Sequence, residues 1–191
     1  MAMGNSDTTR EKLLTAATEA FWEQGYSNTS LRQIAQIAGV DVALVSRYFG
    51  GKLKLFEAAL TAGLYWPELI DPDNDPVKVA IAKYTASSSE DHKFSTTRMI
   101  VMNANDPQVG DMVRRTLFDT LVAPLESRMD GKNAAAQLAM FFSVIIGASV
   151  ARHSLRMPGM AEVDADTHAQ QLRYLIDAAL KFEISEEPKV L

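Results

Sequence analysis

The sequence contains no cysteine. That excludes a disulfide framework, thiolate chemistry and cysteine-ligated zinc, and it suits a reducing cytoplasm. There is no long apolar run. The most apolar stretch, Leu138 to Ala151, holds Ser143 and Ser149, has Gln137 at its edge, and is shorter than the ~20 residues a membrane span needs. It reads as a buried helix, and no membrane is expected as a partner. The opening MAMGNSDTTR carries no apolar segment, so no secretory leader is expected. A basic excess is missing too: 19 Lys/Arg against 24 Asp/Glu give a formal net charge of −5. A nucleic-acid reader normally shows a basic footprint, so the total charge points mildly away from that function. Catalytic signatures are absent as well. No paired nucleophile and base, phosphate loop or metal cluster is visible, so neither an enzyme nor a cofactor is expected. His92, His153 and His168 lie far apart and form no His-x-x-x-His pair; each reads as a solvated or capping side chain. Asp71-Pro72-Asp73-Asn74-Asp75 has the alternation of a calcium loop. Pro72 and the missing later glycine and glutamate argue against an EF-hand.

What is present is helical periodicity. The chain is 47% apolar over 191 residues, enough for one large domain or a small one joined to a larger. Leu14, Ala17 and Phe21 recur at helical spacing in a helix predicted over 8–24, with Thr8 and Glu11 as a capping box and Gly25 as the stop. A second helix follows Ser30, whose partner in a capping box is Gln33, and stops at Gly39. A third follows Asp41 and ends near Phe49 before Gly50-Gly51. A fourth is predicted from Lys52 to Leu64. The acidic stretch 68–76 reads as a loop, and Pro76 suits the first turn of a helix reaching Ser88. Further helices are predicted over 94–103, from Asn105 to Met129 with Pro124 kinking or splitting it, over 132–156 and over 166–182. No strand pattern stands out. The fold class is all-α, about nine helices by periodicity.

The segment Leu31 to Phe49 has the internal residue sizes of a helix-turn-helix. Ala35 permits a close crossing, Gly39 tolerates positive φ in the turn, and Val40 plugs the gap. Ile34, Ala38, Val45 and Phe49 complete a small core. Val42, Ala43, Leu44, Ser46, Arg47 and Tyr48 point outward on a third helix of the width that fits the DNA major groove. Arg32, Arg47, Lys52 and Lys54 cluster around this motif, and local charge governs phosphate attraction over a Debye length of about 8 Å. On spacing alone, a helical hairpin without a DNA role stays open beside DNA binding, because such turns are common.

The run from Arg10 to Leu60, with the pieces AFWEQGYSNTSLRQIAQIAGV and DVALVSRYFGGKLKLFEAAL, resembles the N-terminal domain of the TetR family of bacterial repressors. The resemblance implies an N-terminal DNA-binding domain over 1–51 and a C-terminal effector-binding and dimerisation domain over 52–191. It places Thr29, Ser30, Arg32, Val42, Ala43, Leu44, Ser46, Tyr48 and Lys52 at DNA-contacting positions, and Arg47 lies on the same outward face. Two departures stand out. Ser46 occupies a position where the family often has tyrosine, and Leu53-Lys54 follow Lys52 where acidic residues are common.

A single recognition helix reads few base pairs, so a dyad-related pair on a palindromic double-stranded operator is expected. In the family the last two helices form the homodimer. The small residues of 132–156 and the Leu172, Leu175, Ile176, Ala179 and Leu180 stripe suit that. The family's effector cavity lies among the middle helices. Candidate lining residues are Trp66, Met99, Met102, Phe118, Leu121, Phe141 and Phe142, with Asn103 and His153 as polar handles for a mainly apolar small molecule. The expected function is a ligand-released, cytoplasmic transcriptional repressor. The alternative is an all-α ligand-binding protein or enzyme without DNA binding.

Overall fold

The computed structural model describes residues 5–86, 96–160 and 162–182, and it is helical, with no strand among them. The elements are α1 (Asn5–Gln24), α2 (Leu31–Ala38), α3 (Ala43–Phe49), α4 (Lys52–Leu64), α5 (Pro67–Ile70), α6 (Pro76–Ala86), α7 (Thr96–Asn103), α8 (Gly110–Leu117), α9 (Ala123–Glu126), α10 (Ala134–Ser149) and α11 (Ala165–Lys181). Two π-helical segments, Phe118–Val122 and Val150–Ser154, extend α8 and α10. The chain divides into two compact units. The described parts of Met1–Trp66 and Ser89–Thr120 form the first, and those of Pro67–Ser88 and Leu121–Leu191 the second.

In the first unit α1 packs on α2, α4 and α7, α4 packs on α3 and α8, and α7 on α8. Its core holds Leu13, Ala17, Phe21, Trp22, Ile34, Val45, Leu55, Phe56 and Leu60. Phe21, Tyr26 and Phe56 pack as one aromatic group with centroids 5.1 to 5.9 Å apart, Phe21 stacked on Tyr26 and Phe56 edge-on to both. Gly63 lets α4 approach α1, because a Cβ there would collide with the Trp22 ring. The predicted span of α4 is observed without change. α1 instead begins at Asn5, which puts Thr8 and Glu11 inside the helix rather than in a capping box.

In the second unit α10 and α11 pack on each other and both on α6. Asp75 opens α6: its Oδ1 accepts from the amides of Val77 (2.9 Å) and Lys78 (3.3 Å), while Pro76 begins the helix. Arg173 of α11 donates to Asp75 at 2.9 Å and to Asp177 at 3.0 Å. Burial works to raise the Asp75 carboxyl, but the Arg173 hydrogen bond and the two amides win and hold it below the usual range. The stretch 68–76 differs from the predicted loop, since Pro67–Ile70 forms one helical turn. The rest is pinned by Arg128, which donates to the carbonyls of Asp71, Pro72 and Asn74. Pro124 does not split its helix: α8, the π segment Phe118–Val122 and α9 follow one another without a break, and the change of hydrogen-bonding pattern falls directly before the proline.

The apolar helix corrects its sequence reading. The helix predicted over 132–156 is observed over the 21 residues Ala134–Ser154, but only 22% of its most apolar window is buried. By length and composition it could cross a membrane. Half-exposed Met140 and exposed Ala139, Ser143 and Gly147 mark its open side.

Candidate nucleic-acid interface

The helix-turn-helix geometry follows from a few local hydrogen bonds. Ser30 caps α2, its side chain accepting from the Gln33 amide at 3.2 Å. At the other end Gly39 adopts φ +66°, a left-handed conformation that costs other residues ~1–2 kcal/mol. It closes the helix through Gly39 N–H to Gln36 O (3.2 Å) and Val40 N–H to Ala35 O (3.0 Å), the paired bonds of a Schellman turn. Asp41 then accepts from the Ala43 amide at 2.7 Å and starts α3. Ile34, Ala35 and Val45 are buried. Val42, Ala43, Ser46 and Arg47 are exposed, and Leu44 and Tyr48 are half-exposed. The outer face of α3 is therefore free along its length. Arg32 is exposed on α2, and Ser30 is exposed at its start.

Lys52 opens α4 directly after Gly51 and has no side-chain cap beside it. The first amides of this 13-residue helix therefore point outward, an arrangement suited to a phosphate. The Lys52 ammonium rests over the Tyr26 ring, 4.2 Å from its centroid. Burial lowers its pKa, and the nearby Asp106 opposes that shift. Asp106 in turn accepts from the Ser27 hydroxyl at 2.5 Å and from the Gln108 and Val109 amides at 2.8 and 3.2 Å. Burial works to raise the Asp106 carboxyl, but these donors hold it below its ordinary range. The last residue of α7, just before this loop, is Asn103. Its Oδ1 accepts from the Tyr26 amide at 2.7 Å, and its Nδ2 donates to Met99 O at 2.9 Å. The turn preceding α2 is thus tied to the 103–106 loop by three side chains that sequence reasoning did not connect. The only local signal, Asn105-Asp106-Pro107, reads as a helix start and says nothing of a partner 79 residues away.

One expected contact is corrected. Thr29 is 3% exposed, and its hydroxyl faces inward between the carbonyls of Gly25 (2.8 Å) and Ala20 (3.2 Å). It locks the α1–α2 turn, with its side chain turned away from the surface.

Residues 13–59 match the profile of bacterial regulatory proteins of the tetR family. Residues 75–180 match that of the tetracyclin repressor-like C-terminal domain. The chain belongs to the TetR family. Among curated relatives, it is 28% identical over 116 residues to the HTH-type transcriptional regulator BetI of Burkholderia thailandensis, covering 60% of this chain and 53% of that one. It is 40% identical over 57 residues to SrpR of Pseudomonas putida, covering 30% and 27%. The chain thus spans about half the length, or less, of these relatives. Among solved structures, NalD of Pseudomonas aeruginosa, the secondary repressor of the MexAB-OprM multidrug efflux pump, aligns with TM-score 0.67 at 23% identity over 92% of this chain and 98% of that one. A transcriptional regulator from Rhodococcus sp. Rha1 aligns with TM-score 0.65 at 20% identity, covering 90% and 96%. These two likenesses establish the fold.

In this TetR-family chain the expected effector residues fall into both units. Trp66, Met99, Met102, Asn103 and Phe118 belong to the first, and Leu121, Phe141 and Phe142 to the second. Met99 and Asn103 are wholly buried, and both atoms of the Asn103 amide are committed to the protein itself. Asn103 is therefore a staple and not a free polar handle. Met102 and Phe118 are exposed at 39% and 50%, and Trp66 is half-buried. Leu121 is buried. Phe141 lines an apolar pocket of about 270 Å³ together with Val77, Leu125, Leu138 and Leu180, while Phe142 meets Phe141 edge-on at 5.2 Å. His168 differs from the expected solvated or capping histidine: it is 3% exposed and its Nδ1 meets Arg152. His92 lies outside the described residues.

Proposed function

We propose that this protein is a sequence-specific DNA-binding transcriptional regulator, a repressor released from its operator by a small molecule. The observation that carries the reading is the α2–α3 pair. Its inner residues are buried, and the outer face of α3 is open from Val42 to Tyr48. In this proposal Val42, Ala43 and Leu44 touch thymine methyl groups, and Ser46, Arg47 and Tyr48 meet base edges or phosphates. Ser30, Arg32 and Lys52 fix the register on the backbone. The family and its BetI and NalD relatives support the regulator assignment. Functionally, 1–51 reads DNA and 52–191 receives effector and dimer partner, although α4 packs within the first unit. A cytoplasmic location follows from the same assignment.

A homodimer is part of the proposal. Along α10 the exposed Ala139, Ser143 and Gly147 recur every four residues, a stripe narrow enough for close helix approach. α11 buries His168, Leu172 and Ile176 and leaves Tyr174 and Leu175 exposed at 75% and 50%. A second copy covering these faces would bring two recognition helices onto one operator, about 34 Å apart. An effector acts by favouring a different separation, through a coupling of ~1–3 kcal/mol.

The test is operator affinity measured by fluorescence anisotropy at several salt concentrations. Lys52→Ala and Arg47→Ala should each weaken binding about tenfold, and Lys52→Ala should reduce the salt slope by about one, with unfolding midpoints unchanged. Affinities and slopes equal to wild type would remove the assigned roles.

A further inference from the structure

The second unit contains buried polar atoms that its own hydrogen bonds leave unused. Tyr84 on α6 and His168 on α11 are 7% and 3% exposed. Among the described residues, neither Tyr84 Oη nor His168 Nε2 has a hydrogen-bond partner. Buried polar groups are nearly always satisfied, and an exception calls for a cause such as a ligand that completes it. Both side chains converge with the π-helical turn Val150–Ser154. Arg152 Nη1 lies 3.1 Å from His168 Nδ1, and its guanidinium carbon is 5.8 Å from the Tyr84 ring centroid. The ring of His153, the next residue, is 6.0 Å from Tyr84, and that of His168 is 6.2 Å away. The wider turn lets two consecutive residues reach the same tyrosine. Such π turns recur at functional sites.

A guanidinium only donates, so His168 Nδ1 accepts from Arg152 and the ring proton sits on Nε2. The unused His168 atom is therefore an N–H donor. Tyr84 adds a hydroxyl that can donate, and Arg152 adds a positive charge. No carboxylate pairs with Arg152 among the described residues. Both unused atoms can donate, and with the Arg152 cation beside them they suit an anionic oxygen ligand.

We propose that Tyr84, Arg152 and His168 form a receptor for the carboxylate of a small organic acid. This rests on the effector-binding reading of 52–191 given above, and it names the effector's chemical class. Arg152 supplies charge, His168 Nε2–H and Tyr84 O–H supply direction, and one carboxylate satisfies all three.

The experiment uses the full-length protein with octanoate and benzoate as probes and octanamide and benzamide as controls. Calorimetry and thermal midpoints are read on wild type, Tyr84→Phe and His168→Gln. The expected result is saturable binding of the carboxylates, at least tenfold weaker binding of the amides, and a tenfold or greater loss in each variant. Tyr84→Phe, which removes an unpaired hydroxyl, should keep the ligand-free midpoint of wild type. No carboxylate binding, equal binding of acids and amides, unchanged binding by both variants, or a lowered ligand-free midpoint in Tyr84→Phe would each overturn the proposal. Operator binding by the acid-free wild type is measured on the same samples. Its absence would defeat the regulator reading, whereas the calorimetry judges the receptor.

Discussion

Two pairs of buried polar side chains, one pair in each unit, are treated in opposite ways. In the first, Thr29 and Asn103 are as deeply buried as any apolar neighbour, and each finds partners inside the fold. In the second, Tyr84 and His168 are also buried, and each keeps an atom without a partner among the described residues. A closed polar centre holds one geometry. An open one waits for something to close it. The difference separates residues that build the unit around α2 and α3 from residues suited to receiving a small molecule, although all four are polar side chains on helices or their turns.

The sharpest way to break this comparison is to cut into the closed centre. Asn103→Ala strips the Tyr26 amide of its acceptor and the Met99 carbonyl of its donor in a fully buried place. A loss of about 3 kcal/mol is expected from denaturant unfolding, since stranded buried groups cost ~1–3 kcal/mol each. Thr29→Val keeps the shape and removes the hydroxyl from the Gly25 and Ala20 carbonyls, for an expected loss of about 1 kcal/mol.

A smaller effect is expected at the partly exposed Asp106. Its carboxyl is held below the ordinary range by the Ser27 hydroxyl and two amides, so its contribution is present at neutral pH and fades as pH falls through the lowered folded value. Asp75 and Asp164 shift the same way, so wild type alone cannot isolate it. Asp106→Asn keeps the turn and should flatten part of the decline of the unfolding midpoint below about pH 4, the ordinary carboxylate range. Identical pH profiles for the two proteins would remove the assigned role. The smallest effect is predicted in the open centre: Tyr84→Phe should leave the ligand-free midpoint within about 0.5 kcal/mol of wild type, because it breaks no hydrogen bond. A loss as large as that of Asn103→Ala would erase the contrast between the units.

What could be read from the sequence was what short-range spacing determines. The bounds of α4, the Ser30 cap, the Gly39 turn and the buried Ile34, Ala35 and Val45 all follow from residues within a few positions of one another. Thr29 was misplaced because its hydroxyl could face DNA or its own turn, and only the packed α1–α2 junction decides. The pairings of Asn103 with Tyr26 and of Asp106 with Ser27 span 77 and 79 residues, with no local pattern to announce them. Histidine burial was hidden for the same reason: Tyr84, Arg152 and His168 come from three elements whose meeting is a tertiary fact. The helix predicted over 132–156 is observed over Ala134–Ser154, but its expected burial is not, because burial depends on which helices pack against it and not on its own apolar content.

The central claim is that α3 reads DNA. It is tested most directly by a nuclease footprint of the wild-type protein on the DNA flanking its own coding sequence, repeated at rising salt. The account predicts a protected, dyad-symmetric segment whose half-sites lie one helical turn or a multiple apart and whose protection falls steeply with salt. Absence of protection at every salt concentration would contradict it.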